Sequence, residues 1–188
     1  MFFSILFILS LVITSGCSRI EKSEMQDNND LSEIEIYAEL DGITVEEELH
    51  RLEIQNAFAG LDTRLSIEEP VTFAGLYIQS KPKFCIVVQF TRDGEETIKS
   101  YIPYGMEKYV EVRTVSVSYL ELQNTQREIS SFVRSVGIST TSDIDIYTNR
   151  VKIYVVDLKS VNEAIHDSIL SVPEYVDFVK VESLEGIE

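Results

Sequence analysis

The sequence predicts an α+β fold made of two tandem ββαβ subdomains, joined by a helix and preceded by an N-terminal helix. Two apolar runs, residues 73–78 and 84–90, precede a short helical segment and a strictly alternating stretch at 109–117. A degenerate copy of this strand-strand-helix-strand order begins near Asp143. Alternation with a period of two indicates strands, and two copies are too few for a solenoid. The sequence therefore predicts a duplicated α+β unit.

The first helix is predicted from Thr44 to Leu65, within an N-terminal helical segment of residues 41–69. Thr44 and Glu47 have the spacing of a capping box, and the acidic residues that follow are favoured by the helix dipole. The apolar residues of this stretch recur at helical spacing. We therefore expect one continuous helix that ends before Pro70.

The first ββαβ subdomain is predicted over residues 70–117 and the second over 138–183. Within the first, Gly75 is expected to mark a bulge, and the repeat aligns CIVVQF with VKIYVV and VEVRTV with VDFVKV. A linking helix is predicted at 118–137, because Ser118 can cap it and Gly137 can end it. Its core candidates are Leu120, Ile129, Phe132, Val133 and Val136.

The first sixteen residues are uncharged and apolar from Phe2 to Ile13, which is the length of a signal-peptide core. Residues 13–17, Ile-Thr-Ser-Gly-Cys, resemble the processing box of bacterial lipoproteins. The resemblance implies a signal peptide at 1–16, lipid on Cys17, and an exported protein anchored to the outer face of a bacterial cell membrane or to the outer membrane. An ordinary secretory signal with an unmodified cysteine is the alternative.

Residues 17–40 are predicted to be the lipidated cysteine and an acidic, flexible tether, since their apolar residues are too sparse for a core. The formal net charge is −16, and the stretch from Ser18 to Glu69 holds 4 Lys and Arg against 15 Asp and Glu. Nucleic acid is excluded as a partner because phosphate binding needs a basic surface. A basic protein partner and a merely solvated acidic surface both stay open.

The sequence offers no catalytic, metal or cofactor motif. His50 and His166 lie on predicted helices without a nucleophile elbow nearby, and no phosphate loop, dinucleotide fingerprint or zinc quartet is present. Cys85 lies within an apolar run and is expected to be a packed side chain. Asp143 and Asp145 share one strand face, for which solvent exposure is the ordinary explanation. We therefore predict a protein that is not an enzyme.

Several segments resemble, in order, the propeptide of alpha-lytic-protease-type secreted serine proteases. The most distinctive are Phe73-Ala74-Gly75-Leu76 and Asn149-Arg150-Val151, and the similarity extends from about Asp41 to Val181. The resemblance implies a module that helps a protease to fold and then inhibits it, through the sheet of its second subdomain and a C-terminal tail, here residues 184–188. Because the chain ends at Glu188, the protease is expected to act in trans.

The leading hypothesis is therefore a lipid-anchored envelope module that binds a protein partner by strand addition at its last strand. The partner is a secreted serine protease or another envelope protein. The alternative is a structural or assembly lipoprotein without a protease connection. The candidate partner-binding residues are Tyr175, Val176, Asp177, Phe178, Val179, Lys180 and Val181.

Overall fold

The computed structural model of the chain describes residues 33–167 and 171–186, so Cys17 and the signal peptide lie outside the described residues. The chain divides into two compact units, with the boundary between Leu49 and His50. In the first, helix α1 covers residues 33–41 and Thr44 Oγ1 accepts a hydrogen bond from the Glu47 N–H at 3.1 Å. This bond confirms Thr44 as a helix cap. The helical residues 33–41 also differ from the flexible segment that was expected to extend through Leu40.

The helix predicted from Thr44 to Leu65 is two helices. Helix α2 is Val45–Ala57 and helix α3 is Leu61–Glu68. Between them, Gly60 adopts a left-handed conformation with φ 76°, which an α-helix cannot continue through. The apolar spacing is compatible with one helix, and the prediction was wrong because it gave no weight to this glycine.

The duplicated α+β fold is confirmed, because the described residues form two three-stranded sheets of the same topology. In each sheet the first strand is antiparallel to the second, and the second is parallel to the third. A helical crossover joins the parallel strands, as that arrangement requires. The first sheet and crossover are β1 Phe73–Gln79, β2 Cys85–Phe90, α4 Gly94–Thr97 and β3 Val110–Thr114. The second set is α5 Tyr119–Ser135, β4 Thr140–Asp145, β5 Arg150–Val155, α6 Leu158–Asp167 and β6 Val176–Lys180.

Helix α5 belongs to the second repeat as well as joining the two. Its side chains Leu122, Ile129 and Val133 are buried in the same apolar cluster as the second sheet. In the first repeat, Ile54 of α2 and Leu65 of α3 pack in the same way with the first sheet. Each repeat is therefore a covering helical element followed by ββαβ. Leu120 and Val136, predicted in the core, are 41% and 44% exposed. Leu120 lies on the helix face opposite Ile129, and Val136 follows the last residue of α5 as its C-cap.

The repeat alignment of the central strands is wrong by one residue. Ile86 pairs with Val110, and its counterpart Val151 pairs with Val176. Cys85, which the sequence alignment equated with Val151, therefore corresponds to Arg150. The difference matters because a slip of one residue exchanges the two faces of a strand. In the observed register Ile86, Val88 and Phe90 match Val151, Ile153 and Val155, and all six are buried.

Candidate functional site

The last strand, β6, lies at the edge of the second sheet. The sheet has the order β4-β5-β6, so within the described part of the chain β6 pairs with β5 on one side only. The seven residues predicted to bind a partner are therefore placed on an edge strand and its two flanks. An edge strand presents main-chain groups that can pair with another chain.

The hydrogen bonds of β6 show which of its main-chain groups point outward. The Val151 N–H donates to the Tyr175 C=O at 2.9 Å, and the Val181 N–H donates to the Val155 C=O at 3.0 Å. Because main-chain groups alternate in direction along a strand, Asp177 and Val179 also face β5. The N–H and C=O groups of Phe178 and Lys180 therefore point away from the sheet.

The side chains of these residues are largely occupied within the protein. Val176 and Phe178 pack in the apolar core of the second repeat. The Tyr175 hydroxyl donates to Glu121 Oε1 at 3.0 Å and lies 3.1 Å from Thr125 Oγ1. Lys180 alone among the residues of β6 is exposed. A partner would consequently contact the main chain of this edge more than its side chains.

The outer face of the second sheet carries two ion pairs. The Arg150 guanidinium donates to both oxygens of Asp177, at 2.6 and 2.8 Å, and Lys152 Nζ lies 2.6 Å from Asp145 Oδ2. The hydrogen bonds from Arg150 hold the pKa of Asp177 below its ordinary value. Burial opposes ionisation of Asp145, yet hydrogen bonds from Lys152 and Thr148 outweigh it, so its pKa is also lowered. Asp145 is thus less solvated than the sequence suggested.

The lowered pKa of Asp177 makes its contribution to stability dependent on pH. A carboxylate with a depressed folded-state pKa stabilises the fold above its unfolded pKa, about 3.9, and the contribution is lost as pH falls through the folded value. Asp177→Asn should therefore cost up to about 1 kcal/mol at pH 7, since the pair is part exposed, and less at pH 3, below the unfolded pKa. Urea denaturation at both pH values measures this. Asp143→Asn is the control, because Asp143 is exposed on the same sheet face and acts on Lys152 through its charge. An equal cost for both variants would contradict the assignment.

A second polar group, centred on Arg113, lies on the face of the first sheet opposite its main apolar cluster, and it was not predicted from the sequence. The Arg113 guanidinium donates three hydrogen bonds. Its Nε donates to Glu111 Oε1 at 2.6 Å and its Nη2 to Gln79 Oε1 at 3.0 Å. Its Nη1 donates to the Tyr77 hydroxyl. Cys85 Sγ donates to Glu111 Oε2 at 3.8 Å. One sequence signal pointed to this cluster. Glu111 and Arg113 are two residues apart, so they share the strand face that does not carry Val110 and Val112.

This Arg113 cluster has the chemistry of a structural network. Burial, followed by the neighbouring Glu111 charge, raises the pKa of the Cys85 thiol, which keeps it protonated and weakly nucleophilic. Cys85 is 4% exposed, as its apolar context predicted. The guanidinium already has three acceptors, so it is committed to residues of its own sheet.

The two histidines are placed apart and exposed. His50 Nε2 lies 2.8 Å from the Tyr109 hydroxyl, and His166 Nδ1 lies 3.3 Å from Asp167 Oδ1. Across residues 33–167 and 171–186, no three His, Cys, Asp or Glu side chains are grouped closely enough to hold a metal ion. No helix in those residues is long and apolar enough to cross a membrane.

Comparison with known proteins adds no assignment to this geometry. Neither the protein-family models nor the curated proteins gave a match to the chain.

Proposed function

We propose that this protein is a lipid-anchored binding module of the cell envelope that recognises a protein partner by strand addition at β6. The observation that carries the proposal is the edge position of β6, with the main-chain groups of Phe178 and Lys180 directed away from the sheet. Strand addition obtains its affinity from such groups. The acidic composition of the chain favours a protein partner over nucleic acid.

The partner we propose is a secreted serine protease, which the module inhibits, chaperones or senses in trans. The support is the resemblance of residues 41–181 to the propeptides of alpha-lytic-protease-type enzymes. In those propeptides the sheet of the second subdomain engages the protease, and β6 is its counterpart here. A structural or assembly lipoprotein is the alternative, and it would leave the protease unaffected.

A proline at Lys180 should weaken partner binding by about tenfold or more, because it removes one outward main-chain donor and places a ring on the free edge. The ladder to β5 should survive, since it uses the main chain of Asp177, Val179 and Val181. The measurement is the inhibition constant of the mature chain, residues 17–188, for a purified alpha-lytic-protease-type enzyme, together with the refolding yield of that enzyme.

Two control variants make this test specific. Lys180→Ala removes the side chain and keeps the N–H, and Thr114→Pro alters the equivalent last residue of edge strand β3, because Thr114 and Lys180 pair with the matching residues Phe90 and Val155. Both should bind far better than Lys180→Pro. If the wild-type chain leaves both inhibition and refolding unchanged, the protease proposal is wrong and the structural alternative is favoured.

The lipid anchor requires its own prediction. Cys17→Ala should move the protein from the membrane fraction to the soluble fraction, because it removes the acyl chains, which contribute about 0.8 kcal/mol per buried methylene. Metabolic labelling with a palmitate analogue and cell fractionation measure this. Cys85→Ala is the matched control and should remain labelled. Continued membrane attachment of the Cys17→Ala variant would contradict the anchor.

A further inference from the structure

A shallow, open depression, called the groove below, lies between helix α6 and the outer edge of β6. Its volume is 780 Å³, and its walls include Leu158, Asn162 and His166 of α6 and Lys180 of β6. Val176 and Phe178 face the helix side of the sheet, and strand alternation places Lys180 on that same side. The groove is therefore next to the free main-chain groups of β6, on the side of the sheet that carries the helices.

The groove is where alternate side chains of an added strand would lie. A strand that pairs with β6 must send every second side chain to the helix side of the sheet. Those side chains would enter the space beside α6, where the exposed Asn162 amide carries both a donor and acceptors for a passing chain. In strand addition, the main chain supplies affinity and such side-chain sites supply specificity.

The charges around the groove favour one kind of side chain. Lys159 Nζ lies 3.4 Å from Glu163 Oε1, and His166 Nδ1 lies 3.3 Å from Asp167 Oδ1, so these four side chains have partners within α6. Lys180, by contrast, makes no ion pair within the described residues. Its ammonium is thus the charge available to an incoming chain.

We infer that the groove accepts an extended segment of a protein partner that places an acidic side chain opposite Lys180. This inference rests on the proposed strand addition and adds the chemical class of the segment that is selected. It also distinguishes the two equivalent edges of the duplicated fold, because β3 carries Thr114 at the position of Lys180. Lys180 is then a specificity-determining residue, and the β3 edge lacks its counterpart.

The test uses two fluorescein-labelled, blocked eight-residue peptides that alternate valine with either glutamate or glutamine. Fluorescence anisotropy with the full mature chain should show the glutamate peptide binding about three- to fivefold more tightly at low salt, as expected for a part-exposed ion pair. The preference should vanish in Lys180→Gln and in 0.5 M salt, at roughly a 4 Å Debye length. In Lys180→Glu it should reverse in favour of the glutamine peptide.

The outcomes separate this inference from the proposed function. Equal binding of both peptides, abolished by Lys180→Pro, would overturn the acidic preference and leave strand addition at β6 intact. An acidic preference that persists in Lys180→Gln would overturn the role of Lys180. If neither peptide binds at millimolar concentration, the groove is not a peptide site, while the protease inhibition and refolding assay judges the proposed function independently.

Discussion

Replacing Gly75 with alanine should destabilise the protein by about 2–6 kcal/mol, the sum of a backbone cost and a packing cost of about 1–3 kcal/mol each. Gly75 has φ 132°, a conformation that side chains rarely adopt, and it lies at the irregularity in the β1–β2 register. An alanine Cβ would also lie 2.7 Å from Cγ2 and 2.9 Å from Cδ1 of Ile146. Urea denaturation monitored by circular dichroism measures the loss.

Two further variants separate these costs. Gly60→Ala has a positive φ of 76°, in the milder left-handed helical region, and no surrounding atom within 4 Å of the new Cβ, so it should show backbone strain alone, about 1 kcal/mol. Combining Gly75→Ala with Ile146→Ala should cost less than the two single changes added together, because the clash is relieved. If Gly75→Ala lowers the free energy of unfolding by no more than Gly60→Ala does, the close approach of Ile146 to β1 is contradicted.

Local sequence signals predict the helices and strands of this fold. The packing of one repeat against the other depends on contacts such as that at Gly75, which local signals do not predict. The apolar runs of β1 and β2, the alternation of β3 and the cap residues Thr44 and Ser118 are local signals, and the structure agrees with them. The contact between Gly75 and Ile146 joins residues of different repeats. Strand alternation alone would place Ile146 on the same face as Ile144, but β4 ends at Asp145 and the turn places Ile146 against the first sheet.

The motifs that carry the family resemblance have structural roles of this kind. Gly75 receives Ile146, and Asn149 bonds the segment that connects the repeats. Gly75 and Asn149 are distinctive in the sequence, yet neither residue lies on β6, the candidate site. The candidate site followed from topology instead, because the sequence placed its last strand correctly and the strand order made it an edge. The position of Lys180 beside the groove depends on how α6 packs next to β6, which no local sequence pattern predicts.

The turn between β4 and β5 is tied to the segment before α5 by one side chain, Asn149. It is 7% exposed, its Oδ1 accepts from the Val117 N–H at 2.9 Å, and its Nδ2 donates to the Val117 C=O at 2.8 Å. Its φ of 56° is left-handed, which asparagine tolerates better than most residues. One side chain therefore satisfies two main-chain groups of a buried residue and also permits the turn.

Asn149→Ala should consequently cost about 2–5 kcal/mol, because two buried main-chain groups lose their partner and alanine is strained at this φ. Asn149→Gly removes the hydrogen bonds without the strain, so it should be less damaging than alanine by about 1 kcal/mol. Thr148→Ala, at the exposed neighbouring position, removes only a side-chain hydrogen bond to Asp145 and should lower the free energy of unfolding by about 1 kcal/mol at most. Urea denaturation of the series measures these values. If Asn149→Gly were as stable as the wild type, the hydrogen bonds to Val117 would contribute nothing, and the turn would require only a residue that tolerates a left-handed backbone.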